Sequence, residues 1–117
     1  MLLRPETYVL WEEALKYRGN AEKLSKEGKL QEAANKATWA VVFGCKTATE
    51  LSKEVEMHDL SVIVNSIFSD LCERNHELWE INKVGKHYTP KETFEWSDRA
   101  LKQLYAAIPP DILRPLR

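Results

Sequence analysis

The chain has 117 residues, of which 44% are hydrophobic and 30% are charged, and its formal net charge is −1. This length suits one hydrophobic core, so we expect a single domain over residues 1–117. Four tryptophans and the apolar content exclude a disordered chain. The near-zero charge excludes a global positive field, so nucleic-acid binding would need a local basic patch.

The length of the apolar runs and the pattern of the cysteines indicate the compartment of the protein. No apolar run approaches the roughly 20 residues that a membrane-spanning helix needs, and the first residues lack the pattern of a secretory signal. Cys45 and Cys72 stand outside any CxxC or Cys/His pattern, which is typical of reduced packing residues. We therefore expect a cytoplasmic protein that has no membrane contact, cofactor or bound metal.

The first predicted helix begins at Pro5, a residue suited to the first helical position, and runs toward Glu27, with Gly28 as its stop. Gly19-Asn20 is a possible kink. Its apolar residues form two stripes at helical spacing, which we place on opposite sides of the helix. One stripe contains Leu10, Ala14, Tyr17, Ala21 and Leu24, and the other contains Tyr8, Trp11 and Leu15.

The second predicted helix covers Leu30 to about Glu54 and carries a long stripe of mostly small residues. That stripe contains Leu30, Ala33, Ala34, Ala37, Val41, Cys45, Ala48 and Leu51. Small residues permit close approach of another helix. Trp39, Val42 and Phe43 lie beside the stripe and give this helix more apolar surface than one bundle face needs, so we expect another surface to cover them.

Two more helices complete the predicted fold. The third starts at Asp59, whose carboxylate is suited to capping, and continues to about Asn82. In the fourth, Thr89 caps, Pro90 takes the first helical position, Glu92 reaches back to the cap N–H, and a Pro-Pro pair at 109–110 stops the helix. No segment alternates as strands do. The sequence thus predicts an all-α, up-and-down antiparallel four-helix bundle.

Three groups of polar residues suggest chemistry. Glu73 and His76 have the E-x-x-H spacing of di-iron bundles, but only one copy is present where such sites need two. Cys72, His76 and Glu80 recur every four residues without a fourth zinc ligand. The last group is the only basic cluster, which runs from the segment between the third and fourth helices into the start of the fourth and contains Lys83, Lys86, His87 and Lys91. For each group we favour an ordinary solvated surface over a site.

The segment 28–41 places a glycine before a row of alanines and an aromatic residue. It resembles the entry to the second helix in HEPN-superfamily proteins, particularly the archaeal PaREP-type branch. The resemblance covers most of the chain after Leu15. The residues that carry it are 28–41 (GKLQEAANKATWAV), Lys46, Ala48, 58–60 (HDL) and 75–80 (NHELWE).

The resemblance implies a HEPN-like bundle that forms homodimers through long helices and acts on or near nucleotides or RNA. Arg74-Asn75 is similar to the start of the motif of catalytic HEPN ribonucleases, which continues to a histidine further along the chain. Here no histidine stands at the required distance, and His76 comes too early. We therefore expect a non-catalytic binder of a partner, with a nucleotide or RNA among the candidate ligands. Candidate ligand contacts are Arg74, His76, Lys83 and Lys86.

The expected homodimer interface uses the surplus aromatic and apolar residues. These are Tyr8, Trp11, Leu15, Trp39, Val42 and Phe43. Two functions of other classes stay open. One is an enzyme, either a degenerate HEPN ribonuclease or a small metal-dependent bundle that uses Glu73 and His76. The other is a structural adaptor that docks a protein partner on Tyr8, Trp11 and Leu15.

Overall fold

The computed structural model describes residues 4–54, 58–80, 89–108 and 112–113, and within the third helix it describes the side chains of residues 59–71. It contains four packed helices and, in these ranges, no strand. The helices are α1 (Pro5–Lys26), α2 (Leu30–Glu54), α3 (His58–Glu80) and α4 (Pro90–Ala106). The all-α, four-helix fold predicted from the sequence is therefore confirmed.

The ends of the helices follow the predicted capping residues, with two corrections. Gly28 ends α1 with a left-handed φ of 80°, and the N–H of Lys29 donates to the carbonyl of Leu24 at 2.9 Å, as in a glycine-terminated helix. α3 begins at His58, so Asp59 lies in its first turn and is not the cap. In the first turn its carboxylate still interacts favourably with the positive end of the helix dipole.

α4 begins with the predicted capping residues. The hydroxyl oxygen of Thr89 accepts from the N–H of Glu92 at 3.1 Å. The Glu92 carboxylate accepts from the Thr89 hydroxyl at 3.1 Å, where we had expected it to accept from the Thr89 backbone N–H. The helix ends at Ala106, before the Pro-Pro pair at 109–110, which lies outside the described residues.

α1 and α2 form an antiparallel hairpin. At the end opposite the connecting turn, Glu54 of α2 bonds to the start of α1. The Glu54 carboxylate accepts from the backbone N–H of Arg4 at 2.8 Å and from the hydroxyl of Thr7 at 3.0 Å. A carboxylate at this position accepts a hydrogen bond from an otherwise free N–H at the start of α1. Its negative charge also interacts favourably with the positive end of the α1 helix dipole. The last turn of α2 therefore caps the first turn of α1.

α2 is the central helix and packs against α1, α3 and α4. Small residues on one side of it allow α4 to approach closely. A Cβ atom placed on Gly44 would lie 2.7 Å from a methyl of Leu101 and 3.2 Å from a methyl of Leu104, both of which are buried. Trp39 and Lys46 lie about 140–200° around the helix from Gly44, so they are on the side that faces away from α4.

The structure corrects the assignment of Trp11 to the interface. Trp11 is 1% exposed and stacks on Tyr105 of α4 with ring centroids 5.6 Å apart, so its side chain belongs to the core and offers no surface to a partner. The buried stripe of α1 runs through Thr7, Trp11 and Ala14 to Arg18, whose side chain is mostly buried. Thr7 and Arg18 are polar, so the pattern of apolar residues did not show that they share one buried stripe with Trp11.

None of the four helices, over the residues that the structure describes, is long and apolar enough to cross a membrane.

Candidate association surface

Three aromatic rings from α1 and α2 form one cluster on the side of α2 that faces away from α4. Tyr17 stacks on Phe43 with centroids 5.5 Å apart and on Trp39 with centroids 6.4 Å apart. Trp39 and Phe43, one helical turn apart on α2, have centroids 6.4 Å apart. Each distance is within the range of favourable ring pairing, so the three rings support one another in fixed positions.

Two lysines of α2 place their ammonium groups over this cluster. The Nζ atom of Lys36 is 5.5 Å from the centroid of the Tyr17 ring, and that of Lys46 is 5.0 Å from the centroid of the Phe43 ring. At these distances a cation is attracted to the face of the ring. The cluster is therefore an apolar surface with a positive charge on either side along α2.

The cluster is open to solvent where the core is closed. Trp39 is 50% exposed, while Val42 and Phe43 are half-buried. A half-exposed tryptophan held by two other rings leaves a continuous apolar area in contact with water, which is a common property of surfaces that bind another molecule. Trp11 and Trp39 thus have opposite environments, although both were predicted to belong to one interface.

A groove continues this surface toward α3. α2 forms its floor, Leu10 of α1 lies at one side, and Val64 and Phe68 of α3 lie at the other. Phe68 is 53% exposed. Val42 and Lys46 belong to both the floor of the groove and the surroundings of the ring cluster, so the two features are continuous. We call this surface the α2 outer face, defined by Tyr17, Trp39, Val42, Phe43, Lys46 and Phe68.

The sequence predicted only part of this face. Trp39, Val42 and Phe43 come together as expected, whereas Tyr17 and Phe68 were not assigned to an interface. Phe68 could have been found, because it lies off the buried stripe of Leu60, Ile67 and Leu71 that defines the inner side of α3.

Tyr8 and Leu15, also predicted to belong to the interface, are not part of the α2 outer face. Tyr8 is 38% exposed, and Leu15 is half-buried against the core. Both lie about 140–200° around α1 from the positions of Leu10 and Tyr17, which line the α2 outer face. The expected interface is therefore divided among the α2 outer face, the core and a separate side of α1.

The predicted ligand contacts cannot be placed beside this face. Arg74 and His76 lie in the backbone span of α3, but their side chains are outside the described residues, as are those of Glu73, Cys72 and Glu80. Lys83 and Lys86 lie outside the described residues altogether. Their roles as ligand or metal contacts stay predictions.

Cys45 has the environment of a packing residue. It is a free thiol, 4% exposed, and desolvation by burial raises its pKa to about 12. The thiol is protonated at neutral pH, so it does not act as a thiolate nucleophile. Among the described side chains, no three His, Cys, Asp or Glu residues lie together in a way that could hold a metal ion.

A part-buried ion pair joins α1 to α4. Arg18 donates to Asp98 Oδ1 through Nη2 at 3.1 Å and through Nε at 3.3 Å, and Lys102 Nζ lies 2.8 Å from Asp98 Oδ2. Burial raises the pKa of Asp98, but the hydrogen bond from Lys102 and the charges of Arg18 and Lys102 outweigh it, so the pKa is lowered from its ordinary value. This contact stabilises the helix packing.

The residues next to this pair also indicate packing. Ser97 Oγ is buried beside Arg18 and Asp98, and among the described side chains it is the buried polar atom without a hydrogen-bond partner. The cavity that these residues line is small, of the size that one water molecule fills. A bridging water at this position would satisfy Ser97, but the space is too small for a substrate.

Comparisons of the chain with models of protein families, with curated proteins and with solved structures found no significant match. The fold defines the chain as an all-α four-helix protein.

Proposed function

We propose that this chain is a non-catalytic, HEPN-like helical protein that acts by binding, and that it forms a homodimer through the α2 outer face. The observation that carries the proposal is the half-exposed Trp39, held by Tyr17 and Phe43 on the side of α2 that faces away from α4. A core tryptophan such as Trp11 stabilises the fold. A tryptophan that two rings hold at the surface contributes little to folding and is well suited to be the centre of an interface.

Burial of this face would contribute free energy in two ways. Removing Trp39, Val42, Phe43 and Phe68 from water is favourable by roughly 25 cal/mol per Å² of apolar area. The rings are already fixed by stacking, so less side-chain entropy is lost on association than for mobile side chains. A preformed aromatic centre with charged residues around it has the usual organisation of a protein interface.

The test is the oligomeric state of Trp39→Ala compared with a matched control. We expect the wild-type chain to be a dimer by light scattering at micromolar concentration and Trp39→Ala to be a monomer that keeps its helical circular dichroism. Tyr8→Ala is the control, because Tyr8 is also an exposed aromatic residue but lies on another side of α1. We expect Tyr8→Ala to remain dimeric.

Two results would contradict the proposal. A wild-type chain that is monomeric at high micromolar concentration would exclude homodimer formation. If Tyr8→Ala loses the dimer and Trp39→Ala keeps it, the interface lies on the side of α1 that carries Tyr8, which is the surface expected for the adaptor function.

A nucleotide or RNA is the ligand class that we propose on the basis of the HEPN resemblance, with Arg74, His76, Lys83 and Lys86 as contacts. Incubation of labelled RNA with the protein tests this separately from the dimer. We expect RNA to be retained but not cut, and retention to weaken in Lys83→Glu/Lys86→Glu. Cleavage that is lost on His76→Ala would instead favour the ribonuclease alternative.

A further inference from the structure

The exposed side of α2 carries charged and aromatic residues at alternating spacings of four and three. Four of these residues are exposed and three are half-buried, so all of them reach the surface of the α2 outer face. In chain order they are Glu32, Lys36, Trp39, Phe43, Lys46, Glu50 and Lys53. This spacing keeps one stripe of a helix turned toward a partner over several turns.

The order of charges along this stripe is self-complementary when two copies of α2 run antiparallel. With the symmetry axis at Phe43, Lys36 of one copy lies opposite Glu50 of the other, and Glu32 lies within one residue of the position opposite Lys53, an offset of about 1.5 Å along the helix. Trp39 likewise comes within one residue of the position opposite Lys46, which allows a cation–π contact between the two copies. Every charged residue of the stripe then meets an opposite charge or an aromatic ring.

Two shifted antiparallel registers and the parallel pair bring like charges together. If the axis moves to residue 41, Lys36 meets Lys46 and Glu32 meets Glu50. If it moves halfway between residues 44 and 45, Lys36 meets Lys53. A parallel pair in register places each charge against its own copy. Like charges in direct opposition are destabilising at an interface, so the charges disfavour these arrangements. An axis at Trp39 brings no like charges together, but it leaves Glu50 and Lys53 beyond the first residue of the other copy's α2, whereas the axis at Phe43 pairs the whole stripe.

The contacts within one chain agree with this pairing. Lys53 Nζ lies 3.1 Å from Glu50 Oε1, so the Glu50 carboxylate is already held at the surface, with one of its oxygens left for a second cation. The Nζ atom of Lys36 lies over the Tyr17 ring and that of Lys46 over the Phe43 ring, and the two lysines come before and after Phe43 along α2. The two-fold axis would thus pass through the rings, and the charges would surround them.

We infer that the partner on the α2 outer face is a second copy of this chain, with α2 of each copy crossing the other antiparallel at Phe43 and with Lys36 paired to Glu50 of the other copy. This inference rests on the proposed homodimer and adds its direction, register and charge pairs. A two-fold axis makes each pair occur twice, so a single charge reversal changes two contacts.

Charge reversal tests the register. In Lys36→Glu two carboxylates would oppose each other at both ends of the interface, and in Glu50→Lys two ammonium groups would do so. We expect each variant alone to raise the dimer dissociation constant about tenfold or more. An equimolar mixture of the two variants restores opposite charges at both pairs, so we expect a heterodimer close to wild type in affinity. Native mass spectrometry with one mass-tagged variant measures both results, and the preference should fall as salt is added.

Matched controls separate register from net charge. Lys91→Glu and Glu95→Lys make the same charge changes at exposed positions on α4, away from the α2 outer face, and we expect both to remain dimeric. If both α2 variants dimerise as the wild type does while Trp39→Ala does not, the proposed face stands and this register is overturned. If each variant alone is monomeric but the mixture forms no heterodimer, the register is also overturned. A monomeric wild type overturns the proposed homodimer itself.

Discussion

The two sides of α2 differ in the size of their side chains and in what covers them. The inner side is made of small residues, and at Gly44 the packing against Leu101 and Leu104 leaves no room for a Cβ atom. The outer side carries Trp39 and Lys46, and Trp39 is half exposed. A helix that must pack tightly within the chain needs small residues where another helix crosses it, whereas the large aromatic residues on the opposite side are those that the proposed homodimer would bury.

The largest expected effect contrasts the two tryptophans. Trp11→Ala removes a side chain that is 1% exposed and stacked on Tyr105, so we expect the free energy of unfolding to fall by about 3–5 kcal/mol. Trp39→Ala should change it by less than about 1 kcal/mol, because half of that ring already contacts water. Urea unfolding of both variants, at a concentration low enough for the wild type to be monomeric, measures the difference. Equal losses in the two variants would remove the distinction between core and surface.

The fold was predictable because its signals are local. Pro5, Gly28, Thr89 and Pro90 mark three of the helix ends by backbone chemistry alone, and all three ends were predicted to within one residue. α2 was also predictable, since its buried residues recur at helical spacing over its whole length. These features depend on neighbours in sequence and need no knowledge of the other helices.

The surface was predictable only in part because burial of α1 depends on polar residues that pair at a distance. Thr7 and Arg18 belong to the buried stripe only because Glu54 and Asp98 receive their hydrogen bonds, from 47 and 80 residues away. Without those partners in view, both residues read as exposed, and Trp11 was assigned to a second apolar face. The buried side of α1 was therefore mispredicted mainly because its polar residues pair with residues far away in the sequence.

The next effect tests the close approach of α2 and α4. Gly44→Val adds three carbon atoms where even a Cβ atom would be 2.7 Å from a buried methyl of Leu101, so we expect a loss of about 1–3 kcal/mol in the free energy of unfolding. Gly19→Ala is the control, because no atom lies within 4 Å of a Cβ there. In mid-helix it should stabilise by about 1 kcal/mol. Thermal unfolding of both variants gives the signs, and stabilisation by Gly44→Val would show that α4 does not pack as described.

The smallest expected effect concerns the contact of Asp98 with Arg18 and Lys102 on the inner side, and it depends on pH. Because the pKa of Asp98 is lowered in the folded state, its contribution is fully present above the ordinary aspartate pKa of about 4 and is lost as the pH falls through the lowered value. Asp98→Asn should therefore cost about 1 kcal/mol at neutral pH, since the carboxylate is about a third exposed, and almost nothing in strong acid.

Chemical denaturation of Asp98→Asn and wild type across this pH range tests the effect, with Glu95→Gln, an exposed residue on the same helix, as the control. A cost that is independent of pH would mean that the amide disturbs packing and that the charge contributes nothing. The same series bears on the two sides of α2, because the Arg18–Asp98 contact joins α1 to α4 and does not involve the outer face. Asp98→Asn should therefore leave the dimer dissociation constant at neutral pH unchanged. A change in that constant would show that packing on the inner side controls the position of Trp39 on the outer side.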